Sequence, residues 1–421
     1  MSDQSSPEVL DWQPSPRPPW LSQFNNLALG TGSPAALVSL DAPSLIGAAK
    51  SAAGLDDFGG EEWKEGFDLL LADLDGTANL NLMGRVLVRL EIVRSLIARL
   101  RIAHAYATHP QIEQEIIDRP VFITGMGRSG TSVLHELLAL DPAFRAPLTW
   151  ELLHPDLPEA EGGMPVERRM AVTDAEHTFW NVVTPEYQTM HDNRADAPNE
   201  CGEGLLHDFR STTWGGKHNI PSYDLWLALS DQLLLFSFHR RLLKVLQYGR
   251  ASRWLLKDPM HLARLRALFA AYPDARVVVT HRDPMKVLPS AASLMATLRW
   301  QRSDIVDNSE IVALLFRSYP ILLNRLIEDR ATGAVPDDRT VDVLYADLMG
   351  NPLATLASVY ERLGLEFTSE HQNRASTYLA GRPKDRRGSH LYIFDDLGLR
   401  HQQVEDSFEP YVNEYNIPQE T

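Results

Sequence analysis

Apolar positions along the chain change their rhythm near residue 120. From about Glu61 to His109 they recur at spacings of three and four, with Leu82, Val86, Leu90, Val93, Ile97 and Leu100 in one series. That period predicts an amphipathic helix packed on a larger domain, with Arg85, Arg89 and Arg99 off the apolar stripe. A helix lying on a membrane surface or a partner is the competing reading. Ahead of it, residues 1 to about 35 carry Pro14, Pro16, Pro18 and Pro19 among polar residues, which predicts an extended arm.

From Pro120 onward the apolar residues come in short unbroken runs. Val121–Thr124 stops at glycines, Trp254–Leu256 stops at Lys257, and Arg276–Thr280 stops at His281; Thr340–Leu344 is a fourth run. Ser132–Leu140 and His261–Ala271 read as helices, closed by Asp141-Pro142 and by Pro273. Buried strands alternating with helices predict an α/β fold: a P-loop-like, mostly parallel β-sheet flanked by helices. The expected division is an arm and helical extension over residues 1–118 and the α/β domain over 119–421. Residues 150–250 are less regular and predict a helical and loop cover that holds a substrate pocket. Trp180, Tyr187, Phe209, Trp214, Tyr223 and Trp226 either line an apolar slot there or belong to the core.

Composition narrows the partners. Apolar residues make up 44% and charged residues 23% of 421, the balance of a soluble globular protein. The net charge is −16, from 40 Lys plus Arg against 56 Asp plus Glu, which disfavours nucleic acid as a partner. A small anion binds such a chain only where Arg and Lys are gathered locally. One cysteine, Cys201, excludes an internal disulfide and fits a reducing compartment. The polar start Met1-Ser2-Asp3-Gln4 carries no signal pattern, and no apolar run approaches the roughly 20 residues of a membrane span. The expectation is a cytoplasmic protein.

The chemistry begins in the loop Gly125-Met126-Gly127-Arg128-Ser129-Gly130-Thr131-Ser132. Its glycines let backbone N–H groups converge, the following helix adds its positive end, and Thr131, Ser132 and Arg128 add donors and charge. The spacing is that of a P-loop, but Thr131-Ser132 replaces the Lys-Ser/Thr that reaches the terminal phosphates of ATP. A nucleoside triphosphate is therefore disfavoured. A nucleotide with a short phosphate or sulfate group remains.

Gly127-Arg128-Ser129-Gly130-Thr131-Ser132 resembles the 5′-phosphosulfate loop of sulfotransferases that use 3′-phosphoadenylyl sulfate (PAPS), with Gly127 where proline is common. The resemblance extends to three further places. Arg282, with Ser290 eight residues on, matches the pair that holds the 3′-phosphate. Arg386-Arg387-Gly388 is similar to the element that closes over that phosphate, and planar guanidinium groups suit it. Tyr345-Ala346-Asp347-Leu348 looks like the stretch whose tyrosine lies near adenine, whereas Val133 stands where many cytosolic members carry a stacking aromatic. Gly54-Leu55-Asp56-Asp57-Phe58-Gly59 looks like part of the N-terminal extension of bacterial members. The resemblance implies PAPS as donor, PAP as product, and no metal. A small-molecule alcohol or phenol would be the acceptor, and a homodimer the common assembly.

Sulfuryl transfer needs a cation at the leaving oxygen and a base near the acceptor hydroxyl. For the cation, Arg128 and Lys257 are the candidates, Lys257-Asp258-Pro259 resembling the family's second strand end. The histidine many members carry two residues after that lysine is here Pro259, so the base moves. Glu151, in Thr149-Trp150-Glu151-Leu152, is the first choice, with His261 and His207 as alternatives. Two other readings stand beside this one: a P-loop small-molecule kinase, which predicts Mg²⁺ dependence, and a non-catalytic nucleotide-binding protein.

Overall fold

The structure, a computed structural model, describes residues 12–190, 194–381 and 394–420. The chain opens with helices α1 (Pro19–Asn26), α2 (Ala42–Ala53), α3 (Lys64–Gly76) and α4 (Leu82–Thr108). Strand β1 (Val121–Gly125) leads into α5 (Thr131–Leu138), and α6 (Thr149–Leu153) and α7 (Val166–Val183) follow. Next come α8 (Cys201–Leu205), α9 (Thr212–Lys217), α10 (Pro221–Leu229) and α11 (Gln232–Gln247). Strands β2 (Leu255–Lys257) and β3 (Arg276–His281) flank α12 (Leu265–Ala271). After them run α13 (Pro284–Trp300), α14 (Asn308–Ala331), β4 (Thr340–Leu344), α15 (Tyr345–Gly350), α16 (Pro352–Leu363), α17 (Ser369–Ala380) and α18 (His401–Tyr415).

The four strands form one parallel sheet in the order β2-β1-β3-β4. The apolar runs expected to be strands fall within a residue of the observed ones. Every strand is shielded on both faces, and the strand period of two divides the side chains. Phe122, Leu256, Val277 and Val279 enter one core, while Val121, Ile123, Leu255, Val278, Val341 and Val343 enter the other. Register pairs Ile123 with Lys257, Gly125 with Thr280, and His281 with Leu344. Because all strands run the same way, the loop after Gly125, Lys257, Arg282 and Tyr345 emerge at one edge, where ligands of such sheets bind.

The N-terminal third differs from its sequence reading in two ways. Residues after Pro18 form α1, with proline in its first turn where the missing N–H costs nothing. Asn25 Oδ1 accepts the Met83 N–H at 3.0 Å, and Arg17 stacks on Trp300 at 3.6 Å, so this stretch is docked and not an extended arm. The second difference is α4. Its apolar series is not the buried stripe: Leu90 is 55% exposed, whereas Arg85, Glu91, Arg94 and Arg99 are buried. Elements pack on α4 from several sides, and each of these charges has an opposite partner. Arg99 Nη1 bonds Asp208 Oδ1 at 2.6 Å, Arg302 bonds Glu91 at 2.7 Å, and Arg94 pairs with Glu176.

One apolar cluster unites the extension with the cover. Trp63, Phe67, Leu96 and Leu100 pack with Phe209, Trp214 and Tyr223. Phe209 and Trp214 stack with centroids 6.3 Å apart. Three of the aromatics proposed for a substrate slot are therefore core, and Trp226 packs against them. Trp180 and Tyr187 lie in a smaller cluster with Leu21, Met83 and Leu87. No helix among the described residues is long and apolar enough to cross a membrane. Trp214→Ala is expected to cost about 3–5 kcal/mol in urea denaturation, the range for emptying a buried aromatic site. A loss below about 1 kcal/mol would show that the extension is not anchored through this cluster.

Candidate active site

The loop after β1 is held by contacts that demand glycine at its ends. Gly125 has φ 145°, and a Cβ there would stand 2.4 Å from the Thr280 carbonyl oxygen. Gly130, at φ 95°, abuts the Tyr345 ring, which a Cβ would meet at 2.8 Å. Between them Arg128 takes φ 71°, a left-handed conformation for a side-chain-bearing residue at the turn of the loop. Ser129 is fully buried; its hydroxyl donates to the Met126 carbonyl at 2.6 Å and shares a hydrogen with Thr280 Oγ1 at 2.6 Å. Ser129 thus shapes the cradle from beneath, while Thr131 opens α5 and Ser132 follows it.

Arg128 connects the two anion sites read separately from the sequence. Its Nε donates to Ser290 Oγ at 3.0 Å, and its carbonyl accepts from Arg282 Nη1 at 2.9 Å. Asp283 caps α13 by accepting from Met285 N at 2.9 Å, which fixes Arg282 just ahead of that helix and Ser290 within it. The Arg282 guanidinium lies 3.9 Å over the Tyr345 ring, a cation–π contact. Its remaining face is bidentate: Nε and Nη2 reach the two carboxylate oxygens of Glu420 at 2.8 and 2.9 Å. Those oxygens stand in the way two oxygens of a bound oxyanion would. Arg386, Arg387 and Gly388 lie outside the described residues.

The reacting edge centres on Lys257, whose side chain is 3% exposed. Its Nζ donates to Ser132 Oγ at 3.2 Å and pairs with Glu200 Oε1. Glu200 directly precedes α8 and keeps 28% of its side chain exposed. Behind this pair Asp258 is buried, and burial first, then the Glu200 carboxylate, push its acidity constant up. Glu200 escaped the sequence reading because nothing local marks it: Ala-Pro-Asn-Glu-Cys is an ordinary helix entry.

The three sequence candidates for the base have other neighbours. Glu151 is buried; one carboxylate oxygen pairs with Arg145 and the other accepts the Leu148 N–H at 2.9 Å. That ties Glu151 to the start of α6 and commits both oxygens. His207 is fully buried, its Nε2–H donating to the Leu152 carbonyl at 2.7 Å, and burial pushes its pKa down to about 3. His261 lies among Phe122, Phe236 and His239 with neither ring nitrogen hydrogen-bonded, and burial holds it well below the usual histidine range. Both imidazoles belong to the interior, so the geometry moves the base away from all three.

A parallel sheet with a phosphate-binding loop, a second cationic anion site and a lysine–carboxylate pair at one edge defines a group-transfer enzyme acting on an anionic nucleotide. Comparison with known proteins names the class. The profile described as the Sulfotransferase family matches residues 120–369. The omega-hydroxy-beta-dihydromenaquinone-9 sulfotransferase Stf3 of Mycobacterium bovis is 25% identical over 327 residues, 73% of this chain and 78% of that protein. Sulfotransferase STF1 of Mycobacterium tuberculosis H37Rv superposes with a TM-score of 0.76 at 31% identity, covering 88% of this chain and 98% of that one. STF9 of Mycobacterium avium gives 0.81 at 26% identity, covering 90% and 97%. The chain belongs to the sulfotransferase family, and it is an enzyme that transfers a sulfuryl group.

Gly125→Ala is expected to lower sulfotransferase turnover by about 100-fold or more, since a shift of about 1 Å in a positioning loop costs that much. Turnover close to wild type, with an unchanged circular dichroism spectrum, would show that the cradle tolerates a side chain there.

Proposed function

We propose that the chain transfers the sulfuryl group of PAPS to a hydroxyl of a small, hydrophobic acceptor, giving a sulfate ester and PAP. The observation that carries the donor assignment is the joining of two anion sites through Arg128, one at the glycine loop and one at Arg282 and Ser290. A nucleotide phosphorylated at both its 5′ and 3′ positions spans two such sites. Glu420 supports the fit: a carboxylate already sits bidentate on the guanidinium assigned to the 3′-phosphate. Tyr345, under Arg282, borders the same space, and Arg386-Arg387-Gly388 is assigned to the same phosphate from the sequence.

PAPS brings an activated sulfuryl group on a phosphate leaving group. In this reading the N–H groups of Gly127 to Ser132 and the start of α5 hold the 5′ end. Lys257, reaching past Ser132, neutralises the negative charge that builds on the leaving phosphate oxygen. Glu200 is the base: it faces the same lysine, remains partly open to an entering acceptor, and takes the proton of the attacking hydroxyl. The hydrophobic acceptor is supported by relatives whose name gives a hydroxylated dihydromenaquinone as what they sulfate.

Labelled PAPS, offered with panels of sterols, phenols, lipid alcohols and glycans, tests the activity, and calorimetry with PAP tests the donor site. Absence of PAP binding in the micromolar range sinks the donor assignment. Glu200→Gln is expected to lower kcat by about 10²–10⁴-fold with PAP affinity unchanged; wild-type kcat would remove Glu200 from the reaction. Arg282→Ala is expected to weaken PAP more than adenosine 5′-phosphosulfate, and Glu420→Ala to tighten PAP by removing the competing carboxylate. Weaker PAP binding by Glu420→Ala would overturn the view that Glu420 stands in for a phosphate.

A further inference from the structure

A second cavity, away from the glycine loop, lies where α9, the end of α13 and the segment Ala78–Leu80 meet. It has a volume of about 200 Å³, and its lining includes Lys217, His218, Arg299 and Arg302, with Asp307 and Glu310 also contributing. All four of the basic residues are at least nine-tenths buried. Each carries a buried nitrogen without a hydrogen-bond partner: Lys217 Nζ, His218 Nε2, Arg299 Nε and Arg302 Nε. Buried polar atoms are rarely left unpaired, and four on the lining of one cavity point to something that fills it.

The groups differ in what they ask for. Lys217 offers three N–H donors, and Arg299 and Arg302 offer one each through Nε. His218 asks for the opposite. Its Nδ1–H donates to the Trp214 carbonyl at 2.9 Å, which leaves Nε2 as a bare acceptor while the ring is neutral. Burial first, then Arg302, pushes its pKa down to about 3, so the neutral ring persists near pH 7.

The local carboxylates leave room for an anion. Glu91 is taken by Arg302 at 2.7 Å. Lys217 stands 3.9 Å from Glu91 and 3.6 Å from Glu203, ion pairs too long to be hydrogen bonds. Asp307 and Glu310 are exposed, and Asp307 is engaged in capping α14 through Ser309 N and Glu310 N. Glu310 accepts from Asn219 Nδ2 at 3.2 Å. Asp224 lies beside Arg299, but burial raises its carboxyl to about 7, which weakens it as a counter-ion. Two buried cations, Lys217 and Arg299, are thus only loosely balanced. The volume is below the roughly 300–1,000 Å³ of drug-sized pockets and suits a small ion with a few waters.

We propose that this cavity is a binding site for a small oxyanion bearing one hydroxyl, with free monohydrogen phosphate as the simplest ligand. Its oxygens accept from Lys217, Arg299 and Arg302, and its P–OH donates to His218 Nε2. The site is separate from the donor site: the lining includes neither the glycine loop nor Arg282. Sulfate, which carries no hydroxyl at neutral pH, can satisfy the cations but not His218.

The test is calorimetry of the full-length enzyme, saturated with PAP, titrated with inorganic phosphate at low ionic strength. The expected result is one saturable site, weakened about tenfold or more by Lys217→Met and by Arg299→Gln, and unaffected by Arg282→Ala. The tenfold figure corresponds to about 1.4 kcal/mol, in the range of one hydrogen bond to a charged group. Sulfate is expected to bind about tenfold more weakly than phosphate on the same argument. No saturable binding, or binding indifferent to Lys217→Met, overturns the site; equal binding of both anions overturns the hydroxyl requirement. Should the variants fail to fold, wild-type crystals soaked in arsenate decide the matter. An anomalous peak between Lys217 and Arg299 supports the site, and a peak only at the glycine loop overturns it. Failure of PAP to bind would sink the donor assignment alone, because the Lys217-dependent fraction of phosphate binding stays readable.

Discussion

The hydrogen bond between Ser129 and Thr280, 2.6 Å between two hydroxyl oxygens, ties the turn of the glycine loop to the neighbouring strand. Gly125 makes that approach available, since a Cβ there would stand 2.4 Å from both the carbonyl and the hydroxyl of Thr280. With the loop pinned to β3, the carbonyl of Arg128 comes within reach of Arg282, which follows the same strand. Arg128 in turn reaches Ser290 in α13. One buried contact thus sets the distance between the loop and the second anion site. A sulfate-bearing nucleotide with a 3′-phosphate needs that distance held, because much of its binding strength lies in two separated charges.

Much of this was legible in the residues. The strands announced themselves as short apolar runs ended by glycine, lysine, histidine or a helix start, because a sheet buried on both faces has no polar side to confuse the pattern. The anion-binding residues followed from spacing, since a parallel strand places whatever comes after it at the same edge. What spacing could not supply was the contact between the two sites. Arg128 and Ser290 are far apart in the chain, and only the register of β1 on β3 brings them to 3.0 Å.

The misread parts share a physical cause. The apolar stripe of α4 suggested a helix with one wet face, yet Arg94, Arg99 and Glu91 are buried. A buried charge looks like a surface charge until its partner is known, and the partners Glu176, Asp208 and Arg302 come from distant segments. Glu151 misled for a related reason. A glutamate in a first helical turn serves the helix by default, and here it serves Arg145 as well. Glu200 had no local sign at all, because its role comes from Lys257, which the sheet delivers from 57 residues away.

The short helix α8 gives the charged interior a direction. Glu200 at its entry faces Lys257, and Glu203, one turn further, faces Lys217. From Lys217 the charges continue to Glu91 and Arg302. Isolated, such buried pairs add little stability, since desolvation offsets most of their attraction. Their value here is positional. A carboxylate meant to take a proton beside a lysine must not swing onto that lysine's other partners, and a helix entry anchored one turn away by Glu203 and Lys217 limits where Glu200 can go. The same anchoring makes the reacting edge sensitive to what lies behind α8, because any change in the charge facing Lys217 acts on Glu203 and, through one helical turn, on the position of Glu200.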